Sequence, residues 1–331
     1  GGQDSIIGSA GDDSIDGGSW GDQTLSGGNG NDVLHGGTGT DQLAGGSGDD
    51  TFRVSGHNGG GFEGYDSYDG GSGKDRIVAY GSKVDIGMTA FGPGNSVEIV
   101  DVSGVTGAAR IVGDWQNNRL DFSATTFVGK LSIDGGGGQD SIIGSAGDDS
   151  IDGGSWGDQT LSGGNGNDVL HGGTGTDQLA GGSGDDTFRV SGHKGSGFEG
   201  YDSYDGGSGK DRIVAYGSKV DIGMTAFGPG NSVEIVDVSG VTGAARIVGD
   251  WQNNRLDFSA TTFVGKASID SGDGSDVVLG SRGGDVLFGG TGADILDGRG
   301  GNDTLAGGSG ADTFVFGSAW GHDVVSDFRD G

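Results

Sequence analysis

The chain contains no cysteine, two prolines and two methionines among 331 residues, and 18 basic residues stand against 48 acidic ones. No disulfide holds such a chain together, and no thiolate serves as nucleophile or metal ligand. A formal charge of −30 argues against attraction to nucleic acid or to an anionic membrane, and for attraction to divalent cations. No apolar run approaches the ~18 residues of a spanning helix, so no membrane insertion is expected. Helical periodicity is missing as well. The five histidines (His35, His57, His171, His193, His322) are scattered, and neither H-E-x-x-H nor G-x-S-x-G occurs. The stretch around Ser72, Lys74 and Asp75 is no phosphate loop, because Asp75 stands where Ser or Thr is needed. These residues are therefore not expected to be an enzyme; any catalytic domain would lie outside them.

What is abundant is glycine, 82 residues. Without a period that content would mean disorder. Here there is a period. Residues 27–53 read GGNGNDVLH, GGTGTDQLA, GGSGDDTFR, three nonapeptides of the form G-G-x-G-x-D-x-U-x with U large and apolar. Each is a turn followed by a short strand. Asp32, Asp41 and Asp50 hold position six; Leu34, Leu43 and Phe52 hold position eight and point inward. Two nonapeptides make one coil, so motifs eighteen residues apart stack and place one aspartate above another. That arrangement is unfavourable unless a cation lies between them. The expected fold is all-β, a calcium-binding parallel β-roll or β-solenoid.

These motifs resemble those of the RTX (repeats-in-toxin) proteins, secreted bacterial proteins that include haemolysins, proteases, lipases, epimerases and adhesins. The resemblance implies several Ca2+ ions, with backbone carbonyls of the turns completing each shell around the motif carboxylates. It also implies export by type I secretion machinery and an extracellular or cell-surface location. The candidate ligands are Asp4, Asp13, Asp32, Asp41, Asp50 and Asp75, with Ile6, Ile15, Leu34, Leu43, Phe52 and Ile77 inward. Their second-copy equivalents are Asp140, Asp149, Asp168, Asp177, Asp186 and Asp211, and the last unit adds Asp276, Asp285, Asp294, Asp303 and Asp312. One motif, GGSWGDQTLS at 17–26, is a residue too long. Either Trp20 bulges and Gln23 takes the ligand position, or Asp22 is the ligand and the strand slips, with Leu25 inward. The same choice recurs at Asp158 and Gln159. Alternate motifs give two columns: Asp13, Asp32 and Asp50 on one edge, and Asp4, Asp22 or Gln23, and Asp41 on the other.

Residues 1–136 recur as 137–272 with four differences: Asn58/Lys194, Gly60/Ser196, Leu131/Ala267 and Gly135/Ser271. The expected organisation is a roll at 1–53, a loop and non-repeat solenoid at 54–134, a second roll at 135–189, its solenoid partner at 190–270, and a third roll with a terminal cap at 271–331. Residues 53–69 read as a glycine-rich loop carrying His57, Phe62, Glu63, Tyr65, Asp66, Tyr68 and Asp69. Short strands are expected at 84–86, 97–100, 110–112, 120–122, 127–128 and 132–133. The tail resembles a serralysin-type cap, with Phe314, Phe316, Trp320 and Phe328 covering the open end. The chain opens in mid-motif and is expected to be a fragment of something longer. Tandem near-identity points to a structural region of a large adhesin, biofilm-matrix or surface-layer protein. The alternatives are an accessory module of an extracellular hydrolase, lyase or epimerase, or a carbohydrate-binding module using the aromatic loop or Trp20. Glycan binding and self-association through tandem units are the further partner expectations.

Overall fold

The structure, a computed structural model, describes residues 2–56, 62–191, 198–317 and 321–328. The expected positions His57, His193 and Trp320 lie outside the described residues. Among those described there is no α-helix; short parallel strands alternate with turns, and two single-turn 3₁₀ segments sit at Pro93–Asn95 and Pro229–Asn231. The chain divides into two compact units, 1–168 and 169–331.

In the first unit each coil places its apolar residue directly over the last. One ladder runs Ile6, Leu25, Leu43, Tyr68. A second runs Ile15, Leu34, Phe52, Ile77, Val100, and a third Phe91, Leu120, Ile142, Leu161. In the second unit the ladders run Leu170, Phe188, Ile213, Val236, Phe263 and Ile222, Ile247, Ile269, Leu287, Leu305, Val325. Position eight of the nonapeptide thus builds the core, one large side chain per rung. Each coil contacts only its neighbours, as in other solenoids.

Two expectations change. The short strands expected at 84–86 and 110–112 are parts of continuous strands, Arg76–Gly87 and Ile99–Val112, which stay paired through two register shifts. The stretch 53–69 is largely strand rather than loop, since Thr51–Ser55, Phe62–Tyr65 and Ser67–Ser72 all pair. Tyr68 is a fully buried core residue, packed edge-on against Phe52 at 5.5 Å between centroids. Glycine obscured the alternation here, because Gly56, Gly59, Gly60, Gly61 and Gly64 remove the apolar signal that marks a strand.

At the C-terminal end, Val325 continues the Leu305 ladder. Asp323 accepts the Asp303 backbone N–H, and Asp327 accepts those of Gly307 and Gly308. Phe316 and Phe328 are 45% and 72% exposed. Among the described residues, carboxylates of the tail thus accept backbone donors of the coil before it, and Phe314, one of the residues expected to cover the end, is half-buried over Leu296.

Candidate metal centre

The turn geometry follows from glycine at two motif positions. Gly28 and Gly30 take φ of 111° and 119°, which a Cβ would strain. The turn aims the position-six aspartate back along the solenoid axis. One carboxylate oxygen then joins the backbone ladder: Asp32 Oδ1 accepts the Asp13 N–H at 2.8 Å, Asp50 Oδ1 that of Asp32 at 2.7 Å, and Asp75 Oδ1 that of Asp50 at 2.7 Å. On the other edge, Asp41 Oδ1 accepts the Gln23 N–H at 2.7 Å. The last roll repeats this through Asp276, Asp294 and Asp312, and through Asp285 and Asp303. The two expected columns are therefore present, and Asp75 and Asp211 extend them.

The second oxygen carries the chemistry. Oδ2 of Asp32, Asp41, Asp50, Asp75, Asp140, Asp211, Asp276, Asp294 and Asp303 is buried with no hydrogen-bond partner. A buried polar atom is normally paired, and a buried unpaired carboxylate oxygen costs several kcal/mol. A column of them along the regular turns marks a place for a cation. The space beside each except Asp276, where Ser271 stands at position one and its Oγ donates to the Gly289 carbonyl at 2.8 Å, is held open by the first glycine of the motif. A methyl on Gly36 would lie 2.2 Å from Asp41 Oδ2; one on Gly289 would lie 2.6 Å from Asp294 Oδ2 and 2.6 Å from the Gly307 carbonyl oxygen. The surroundings are oxygen-only, which suits a hard cation. Among the described residues no three His, Cys, Asp or Glu side chains converge, because each rung contributes one carboxylate and the backbone supplies the remaining oxygens. The residues present fit calcium.

Not every rung is built this way. Where serine replaces the second glycine, its N–H and Oγ–H donate to the carboxylate: Ser145 to Asp149 Oδ2 at 2.6 and 3.0 Å, Ser281 to Asp285 Oδ2 at 2.7 and 3.0 Å, and Ser9 to Asp13 likewise. Asp4, on the first coil, is exposed, and its N–H donates to Gln23 Oε1 at 2.9 Å. The overlong motif resolves in favour of the tryptophan bulge. The pairing Ser5↔Thr24 and Ile6↔Leu25 places Gln23 opposite Asp4. Gln23 is buried, while Asp22 and its counterpart Asp158 are exposed on the turn, so both are removed as candidate ligands. Gln159 Nε2 donates to the carbonyls of Gly138 (2.9 Å), Trp156 (2.9 Å) and Gly157 (3.4 Å), and Gln23 Nε2 to those of Gly2, Trp20 and Gly21. The amide nitrogen fills the place that corresponds to the space beside the unpartnered Oδ2 atoms of the regular rungs.

This yields an expected outcome. Gln159→Asp removes the amide and leaves three carbonyls and a carboxylate facing one another. The variant should bind one more cation than the parent, read as terbium emission sensitised by the adjacent Trp156 indole. Unchanged emission would refute the equivalence of the amide and the ion.

The columns include residues the sequence reading passed over. Asp66 and Asp202 accept the Asp41 and Asp177 N–H groups, and their Oδ2 atoms accept the hydroxyls of Tyr68 and Tyr204 at 3.2 and 3.1 Å. Glu98 and Glu234 close the other column over Asp75 and Asp211. Counting nine residues back from Asp75 and Asp211 gives Asp66 and Asp202, with tyrosine at position eight, so the signal was present.

Burial without a cation pushes these carboxyls upward: Asp41, Asp50, Asp75, Asp211, Asp276, Asp294 and Asp303 are all raised, Asp140 and Asp285 to about 6, and Asp66 and Asp202 to about 7, desolvation being the largest cause in each. A carboxyl whose folded pKa exceeds its unfolded value favours the folded form once protonated. That contribution is complete below about pH 4 and is lost as pH rises through about 6 to 7. The calcium-free chain should therefore show more β signal by circular dichroism at pH 5 than at pH 8. Equal or reversed signals would contradict the burial of these carboxyls.

Residues 1–19, 18–52, 132–155, 154–188, 268–287 and 279–314 match the family model described as the RTX calcium-binding nonapeptide repeat (4 copies). The matches span every candidate aspartate except Asp75 and Asp211. No curated protein matches the chain.

Proposed function

We propose that this chain, whose matched stretches are RTX calcium-binding nonapeptide repeats, is the calcium-dependent folding and rigidifying region of a large extracellular or cell-surface protein. Export through a type I channel and an adhesin, biofilm-matrix or surface-layer role complete the reading. The observation that supports it is the column of buried, unpartnered Oδ2 atoms, repeated through near-identical copies. The assigned calcium ligands are the aspartates of those columns, Asp32, Asp41, Asp50 and Asp75 and their counterparts, with turn carbonyls. Bound calcium supplies the positive charge these columns lack. Without it the carboxylates of neighbouring coils repel, and the glycine-rich chain stays open and passes through a channel. We assign no reaction to the chain. The alternative, an accessory module of an extracellular hydrolase, lyase or epimerase, is motivated by the resemblance of the tail to a serralysin-type cap.

The test is a calcium titration followed by circular dichroism. Extracellular modules bind calcium at ~0.1 to 1 mM, and the folding midpoint should fall in that range. A midpoint near 1 μM or below would mean folding before export and would sink the reading.

A further inference from the structure

Tryptophan is among the most heavily buried residues on average, yet Trp20, Trp115, Trp156 and Trp251 are 74–80% exposed. Two of them belong together. The turn carrying Trp115 stacks on the turn carrying Gly137 through Gly137 N–H to Asp114 O, and that turn on the one carrying Trp156 through Ser155 N–H to Gly136 O. A methyl placed on Gly137 would lie 3.7 Å from Trp115 Cα and 3.9 Å from Trp156 Cδ1. The two residues thus stand on the same edge with a glycine between them, their turns two rungs or roughly 10 Å apart.

Both turns are fixed by buried amides, the second independent feature. Asn118 Nδ2 donates to Asp114 Oδ1 at 2.9 Å, and Asp114 Oδ1 also accepts the Gln116 N–H at 2.8 Å. Gln159 holds the Trp156 carbonyl. The insertion that leaves Gln159 at position six of this motif is Trp156 itself, bulged outward from the turn. At the corresponding place after Trp251 stands Asp273, which pairs with Thr291, and no tryptophan follows. Among the described residues the pair is complete once.

We propose that Trp115 and Trp156 form a platform for a neutral, β-linked polysaccharide. Two rungs match the length of an extended disaccharide, so alternate pyranose rings can lay their C–H faces on the two indoles. The exposed amides of Gln116, Asn117 and Gln139 border the platform and can bond ring hydroxyls. The turns 113–118, 136–140 and 153–159 contain no Lys or Arg, and a chain of charge −30 repels an anionic glycan or nucleic acid. The proposal requires a folded roll but not a particular parent protein.

The test is affinity electrophoresis of the calcium-loaded full chain in gels containing hydroxyethylcellulose, xylan, glucomannan or a soluble β-1,3-glucan, with alginate as the anionic control. At least one neutral glycan should retard the chain and alginate should not. Trp115→Ala and Trp156→Ala should each weaken binding about tenfold, the loss of one stacked aromatic, while Trp251→Ala leaves it unchanged. Circular dichroism in calcium should be the same for all three. No retardation by any neutral glycan overturns the proposal. So does an equal loss in Trp251→Ala, or sedimentation showing that the two indoles join copies of this chain.

Discussion

Withdrawing calcium with EGTA at pH 8 is expected to abolish most of the β signal of the matched stretches, and returning calcium should restore it over a narrow concentration range. The scale follows from the columns. Among the described residues, nine aspartates present a buried Oδ2 with no partner. At ten times the dissociation constant each bound ion stabilises the folded form by ~1.4 kcal/mol. Nine such ions give about 13 kcal/mol, comparable to the ~5–15 kcal/mol total stability of an ordinary domain. Little else is available to offset that loss, because each rung buries one large apolar side chain while ordering its backbone costs ~1–2 kcal/mol per residue. Cooperativity follows because each Oδ1 also holds the N–H of the preceding coil, so releasing one turn frees a donor in the next. The rungs closed by serine, glutamine or tyrosine should behave differently. Their carboxylate or carbonyl oxygens are already paired, so residual hydrogen-exchange protection in EGTA should concentrate around Gln23, Tyr68, Ser145 and Gln159. Uniform loss would mean these closures contribute nothing without calcium.

How much of this was legible follows from the period. Where the nonapeptide is regular, position six and position eight gave the ligand columns and the core ladders directly, because both depend only on counting. The choice between Asp22 and Gln23 was not decidable by counting, since the inserted residue allowed two registers. It is settled by the buried Gln23 taking the ladder place between Asp4 and Asp41 and by its amide satisfying three carbonyls at once. Asp66 was missed for a different reason. Tyrosine at position eight and a degenerate turn before it disguised the motif, although the nine-residue offset from Asp75 was intact. The division between partnered and unpartnered Oδ2 atoms depends on whether serine or glycine holds position two. That is visible in the sequence only once the turn geometry shows what a serine there would reach.

Gly36→Ala should be about as damaging as deleting the aspartate it faces, although it removes no ligand. The ideal Cβ would sit 2.2 Å from Asp41 Oδ2, 2.6 Å from its Cγ and 2.8 Å from its Cβ, so rotating the carboxylate does not clear the clash. Asp41 cannot retreat easily, because Oδ1 holds the Gln23 N–H and its own N–H is held by Asp66. The methyl therefore fills the place beside Oδ2 and pushes the aspartate out of the ladder. Both the ion and a backbone bond of the next coil are lost, about 2–4 kcal/mol together. The calcium midpoint should rise several-fold, and one ion fewer should bind. Gly11→Ala is the control, since a methyl there meets nothing within 4 Å. It should leave the midpoint and the ion count where they are. If Gly36→Ala behaved like Gly11→Ala, the first glycine of the motif would be serving the chain's flexibility alone, and the cradle beside Oδ2 would not be where the cation binds.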